Sequence, residues 1–411
     1  MTTPLHRLDP AGGCPHAANA RMLAEGPVAA VVLPGGVEGA AVLGHDTLRE
    51  FLAHPDVAKD ARHFTALAEG RVPEGWPLAA FAAVRGMTTA DGADHRRLRS
   101  LVSRAFTARR VEELRPRVRE LTDSLLDGLE RAAEGEDHVV DLRRHFALPL
   151  PMGVIGELFG VGADHRDLLH DLSSQVVATD ITPERSIAAN RELIETLTAF
   201  AAAKAADPGD DLTSALLAAH DEDGDRLSHA ELIGTLVLMV IAGHETTLNL
   251  IVNAVRALCA HRDQLDLVRA GGADWGDVME ETLRWDAPVS YFPFRYPVRD
   301  LTVGGTLIPA GTPVLAGYSA AGRDRAAHGR DADRFDVGRP RRPDAVRTLS
   351  LGHGAHYCLG APLARIEVTT ALSGLFARFP DLDLAVPEDR LTRSASFVGN
   401  GVRALPVRLR G

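Results

Sequence analysis

The chain has 411 residues, with 45 lysines and arginines against 56 aspartates and glutamates, a net charge of −11. That balance argues against a nucleic-acid partner, because phosphate contact needs a net basic face. Hydrophobic residues make up 45% and aromatics only 5%, the composition of a soluble chain with a largely aliphatic core.

In chain order, MTTPLHRLDPAGGCPHAANARML has no apolar run of signal-peptide length and no cleavage pattern; about residues 1–20 are expected to form a short flexible N-terminus. No stretch approaches the roughly 20 apolar residues of a membrane span, so a cytoplasmic protein without membrane contact is expected. PVAAVVLPGGVEGAAVL reads as two short strands about a PGG turn. HDTLREFLAHPDVA follows with helical periodicity, then a long amphipathic tract from Asp94 through LRPRVRELTDSLLDGLERAA, with Pro116 as its break or first turn. Helical patterns return over 183–206 and 228–260, the latter opened by Ser228 and Glu231 as a capping box. After Arg284 the texture changes to prolines, glycines and alternating apolar residues, which predicts short strands and turns, and ALPVRLR reads as a final strand. With no repeat and no linker, the reading is one mainly α domain over 1–411 with small β-sheets.

Cys14, Cys259 and Cys358 are an odd, scattered set, which argues against a disulfide framework. Cys358 lies in SLGHGAHYCLGAPLAR, where Gly352, Gly354 and Gly360 permit unusual backbone and close approach to a flat partner, and where a helix begins. A helix N-terminus favours the thiolate. Four readings stay open on local chemistry: a zinc site with His353 and His356, a nucleophile with a histidine base, an iron–thiolate site, and a glycine turn around a buried cysteine.

The spacing of Gly354, His356, Cys358 and Gly360 resembles the haem-binding signature of the cytochrome P450 family, in which the cysteine thiolate is the proximal iron ligand. The family carries phenylalanine seven residues before the cysteine, where this chain has Leu351; the resemblance implies a changed contact near sulfur and an altered iron potential. LMVIAGHETTLNLI sits in a helix apolar almost all round. There Ala242 and Thr246 share a face, Gly243 removes bulk, and Thr246 can bond back to the Ala242 carbonyl. Glu245 lies about 100° round the axis from Thr246, which suits a proton relay. The stretch resembles the family's oxygen-activating helix. EETLR places Glu281 and Arg284 on one helix face and resembles the family's structural Glu-x-x-Arg element.

The resemblance further implies haem b between the oxygen-activating helix and the cysteine-loop helix. Its two propionates would meet His95, Arg99, Arg295 and His356, while Ala242, Gly243, Leu351, Gly352 and Gly360 would lie against the macrocycle. It implies a monooxygenase using O2 and NAD(P)H-derived electrons passed through ferredoxin reductase and ferredoxin, acting as a monomer. Arg97, Arg104, Arg109, Arg110 and Arg365 would form a basic patch for an acidic electron-transfer partner. Trp76, Leu78, Ala83, Val84, Leu238, Val289, Ser290, Tyr291, Phe292, Phe397 and Val398 are expected to line a substrate pocket; they carry no charge, which predicts a hydrophobic, neutral substrate such as a macrolide or steroid. A peroxide-driven enzyme and a haem-thiolate sensor are the alternatives, and the intact Glu245–Thr246 pair argues against both.

Overall fold

A computed structural model describes residues 5–84, 86–133, 138–219 and 224–409. Its strands are β1 (Leu5–Arg7), β2 (Val28–Val32), β3 (Glu38–Val42), β4 (Val57–Ala58), β5 (Val139–Asp141), β6 (Tyr291–Pro297), β7 (Leu301–Val303), β8 (Thr306–Ile308), β9 (Val314–Gly317), β10 (Asp383–Leu384) and β11 (Pro406–Arg408). Six of them form one sheet in the order β1-β2-β3-β9-β6-β4; β10-β11-β5 and β7-β8 make two smaller ones.

The turn between β2 and β3 is the Pro34–Gly36 stretch, with Gly35 at φ 74°, so the PGG signal marks a real reversal. The N-terminal reading needs correction from Leu5 onward. β1 pairs with β2, and the helix Pro15–Glu25 is tied down where His16 Nε2 meets the buried Asp286 carboxylate at 2.8 Å. The tract after Asp94 is three helices, Gly92–Ala105, Ala108–Glu113 and Arg115–Ala132. Thr107 caps the second by accepting from the Arg110 amide, a local signal that overrides continuous periodicity.

Helix dominates the rest. The helix His229–Ala260 starts at the Ser228–Glu231 capping box and runs through the largest apolar cluster. By length and apolarity it matches a bilayer span, which corrects the expectation that no stretch approaches one; its long buried face packs inside the protein. Against it pack the helices Pro149–Phe159, Ala163–Val177, Trp275–Trp285 and Ala361–Arg378. The cysteine loop enters the last of these, whose Glu367 meets Thr247 in the middle of the central helix.

Candidate active site

Gly352 (φ 80°) and Gly354 (φ 71°) take left-handed backbone. A Cβ on Gly352 would come 3.1 Å from the His356 carbonyl oxygen, so a side chain there would both strain and crowd the loop. The Cys358 amide donates to the Leu351 carbonyl at 2.8 Å and closes it. Gly360 corrects the sequence reading: its φ of −78° suits any residue. The nearest atom to a Cβ there is Cys358 Sγ, at 3.9 Å, so its want of a side chain leaves the sulfur's flank open.

Burial pushes the Cys358 thiol's pKa up, while hydrogen bonds from the Gly360 and Ala361 amides and the charge of Arg99 pull it down. Yet Cys358 is exposed, so the sulfur lies on the wall of a deep recess rather than inside packing. Ala242, midway along the central helix, is exposed as well, with Thr246 one turn on and half-buried. The Thr246 hydroxyl donates to the Ala242 carbonyl at 2.6 Å, the back-bond that loosens a helix at that point. Gly243 faces elsewhere: a Cβ there would meet Ile155 Cδ1 at 3.0 Å, so this glycine serves close approach of the helix Pro149–Phe159 and not the recess.

Glu245 turns away from Thr246 towards Arg143, whose Nη2 lies 3.8 Å from Glu245 Oε1; Glu245 Oε2 is buried and has no hydrogen-bond partner among the described residues. Sequence reading missed what surrounds it. His244 Nδ1 lies 2.7 Å from the Val240 carbonyl and its Nε2 lies 3.1 Å from His170 Nδ1. A carbonyl only accepts, so His244 carries its proton on Nδ1 and, being held neutral by burial at a pKa of about 4, accepts from His170. Glu367, on the cysteine-loop helix, was also missed: it is buried, its pKa raised by that burial to about 8, and it accepts from the Thr247 hydroxyl at 3.5 Å.

A second group of side chains is basic, two arginines with two neutral imidazoles. His95 and Arg295 are both 4% exposed. The His95 and His356 rings stand 4.1 Å apart, and His95 Nε2 has no hydrogen-bond partner among the described residues. Arg99 donates to the Tyr357 carbonyl at 2.8 Å. Burial, followed by Arg295, His95 and Lys59, lowers the His356 pKa to about 2. Among the described residues Arg99 and Arg295 join no ion pair, and the Asp91 charge offsets Arg295 only from a distance. Buried cations demand anionic partners, and two carboxylates would answer this set. The expected patch of arginines is different: Arg97 is paired with Glu231 and Asp225, Arg109 with Glu113, Arg110 with Asp210 and Arg365 with Glu280, so neighbouring acids offset much of its charge.

Glu281 and Arg284 are 1% and 3% exposed in their side chains. Arg284 donates to both Glu281 oxygens at 2.7 and 2.8 Å, and to the carbonyls of Gly322, Ala332 and Arg334. Arg339 completes the group, 3.5 Å from Glu281 Oε1, a third member absent from the sequence reading.

Several expected pocket residues are core instead. Trp76 stacks on Phe294 at 5.4 Å with its Nε1–H on the Pro34 carbonyl, and Leu78 is fully buried beside it. Tyr291 is buried with its hydroxyl on Asn19; Ser290 is buried and accepts from Ser319 at 3.3 Å. Phe397 and Val398 close the same cluster. Val84, Leu238, Val289 and Phe292 keep partial exposure and remain available to a ligand, while the Ala83 side chain lies outside the described residues.

A thiol held by two amides on a recess wall, a central helix exposed at Ala242 with the Thr246 hydroxyl bonded back to it, and a buried arginine without an ion pair together fit the donor set for an iron porphyrin with two propionates. Fold and site thus define a haem-thiolate protein. The comparisons agree. The Cytochrome P450 family model matches residues 276–398. A 2-hydroxy-5-methyl-1-naphthoate 7-hydroxylase of Streptomyces carzinostaticus is 41% identical over 99% of this chain and 98% of its own length, and a vitamin D(3) 25-hydroxylase of Pseudonocardia autotrophica is 41% identical over 96% and 93%. The solved structure of CYP154C4 from Streptomyces sp. W2061 superposes with a TM-score of 0.94 at 42% identity, covering 99% of this chain and 98% of that one. The chain belongs to the cytochrome P450 family. It is a monooxygenase whose cofactor is haem b, with O2 and NAD(P)H-derived electrons as co-substrates.

Proposed function

We propose that this enzyme hydroxylates a C–H bond of a bulky, uncharged natural product, a polycyclic or macrocyclic molecule of the steroid or macrolide kind. It works in the cytoplasm as a monomer and receives electrons from ferredoxin. The observation that carries the reading is the Thr246 hydroxyl bonded back to the Ala242 carbonyl where Ala242 is exposed, with Glu245 turned to Arg143. When bound, haem supplies the oxygen activation and the attack on carbon. Cys358 would hold the iron, with the Gly360 and Ala361 amides steadying the thiolate charge. His95, Arg99, Arg295 and His356 would hold the propionates. The Thr246 hydroxyl, held on the Ala242 carbonyl, keeps its oxygen free to accept a proton, which Glu245 would deliver by swinging back from Arg143. Val84, Leu238, Val289 and Phe292 offer an apolar wall without charge, in keeping with the vitamin D(3) 25-hydroxylase among its relatives.

Thr246→Ala tests the relay. It is expected to keep haem and substrate binding but to divert most NADPH-derived electrons to hydrogen peroxide, read as the ratio of product to NADPH consumed. Unchanged coupling would remove Thr246 and Glu245 from the reading, and full activity with peroxide alone would favour the peroxide-driven alternative.

Leu351 is half-buried against the main core, and its carbonyl holds the Cys358 amide. Leu351→Phe adds a ring beside that hydrogen bond, so it is expected to shift the iron midpoint potential while leaving the fold intact. Identical potentials in a spectroelectrochemical titration would make position 351 core filling only.

A further inference from the structure

Only two of the 45 lysines and arginines are lysine, and one of them, Lys59, is 5% exposed. It follows β4, whose Val57 and Ala58 pair with Pro297 and Tyr296 of β6. Its Nζ donates to the Pro293 carbonyl at 3.3 Å and stands 4.9 Å from the Phe292 ring centroid. One carbonyl and one ring do not offset a buried charge. Asp91, the cap of the helix Gly92–Ala105, is already engaged: its carboxylate accepts the backbone amides of Lys59 and Asp60 at 2.9 Å. Lys59 joins no ion pair among the described residues, and the nearby Arg295, equally without an anion, opposes it. Two cations in one dry site need an anion between them.

We propose that Lys59 is a further cofactor-binding residue: its ammonium and the Arg295 guanidinium hold one porphyrin carboxylate. The proposal rests on haem lying in the recess beside Cys358. It also accounts for a lysine in a chain whose cations are nearly all arginine. A guanidinium never gives up its proton, so it would stay charged against Arg295 with or without the carboxylate; an ammonium can become a neutral amine. Burial lowers the Lys59 pKa well below that of an ordinary lysine, Arg295 adds to this, and Asp91 opposes it.

The other groups around Lys59 leave that role to it. Tyr296 on β6 and Tyr318 after β9 are hydroxyls whose burial raises their pKa values. His356, His95 and Arg99 belong to the same basic cluster. Asp60, its chain neighbour, is bonded to Arg62 at 2.7 Å.

The test follows haem transfer from holoenzyme to excess apomyoglobin by Soret absorbance. Lys59→Met is expected to release haem about tenfold faster or more at neutral pH, the scale of one lost charge-assisted hydrogen bond. Raising the pH removes the ammonium proton and weakens the hold on the carboxylate, so wild-type release quickens as pH rises; in Lys59→Arg that rise disappears. Should Lys59→Met fail to load haem, Lys59→Gln takes its place, since it keeps a donor but not the charge. Wild-type release rates in the Met and Gln variants, or an unchanged pH profile in Lys59→Arg, overturn the proposal. A wild-type protein without haem would overturn the haem-thiolate assignment itself and is recognised beforehand from the spectrum.

Discussion

Replacing Cys358 by alanine is expected to abolish the red-shifted Soret band that the reduced wild-type enzyme shows with carbon monoxide, and with it all monooxygenase turnover. The substitution removes the one atom on this wall of the recess that binds iron as an anion, and the Gly360 and Ala361 amides lose the acceptor they point at. Little else changes. The loop is closed by the Cys358 backbone amide on the Leu351 carbonyl, which alanine keeps, and the left-handed glycines at 352 and 354 are untouched. The variant should therefore fold with wild-type circular dichroism, so the loss can be assigned to ligation rather than collapse. An alanine variant that kept the band, or a wild type that never showed it, would refute Cys358 as the iron ligand.

What the chain discloses before folding follows from how far each signal reaches. The Ser228–Glu231 box, the PGG turn and the helix starting at Pro183 are settled within a few residues, and the structure keeps all three. The cysteine stretch was equally legible because its glycines, amide hydrogen bonds and helix start all lie within about a dozen residues. Pocket walls were not. Trp76 and Tyr291 are large and apolar enough to face a ligand, but stacking on Phe294 and a hydroxyl bond to Asn19 are contacts across more than 200 residues, and only the fold decides which side of the strand they serve. The same holds for Lys59 and Glu367. As letters they look like surface charges; burial alone turns one into a cation awaiting an anion and the other into a carboxylic acid that keeps its proton at neutral pH.

Arg284→Leu is expected to be the most damaging change outside the recess. The guanidinium is almost wholly buried and makes five hydrogen bonds, two to Glu281 and three to the carbonyls of Gly322, Ala332 and Arg334. Leucine strands those three carbonyls and leaves the Glu281 carboxylate with only the Asp336 amide at 2.8 Å and the longer contact to Arg339. Removing one member of a buried ion pair costs about 3–5 kcal/mol, a large part of the roughly 5–15 kcal/mol that keeps a domain folded. The segment Gly322–Arg334 that loses its anchor lies between β9 and the cysteine loop, so the loss reaches haem retention as well as stability. The expected result is a low yield of haem-loaded protein and a urea midpoint well below wild type. Glu281→Gln, which keeps the shape and one acceptor but not the charge, should fall between the two. If Arg284→Leu unfolded at the wild-type urea midpoint and kept its haem, the buried pair would be a spectator, and the cysteine loop would owe its position to the packing of the helix Ala361–Arg378 alone.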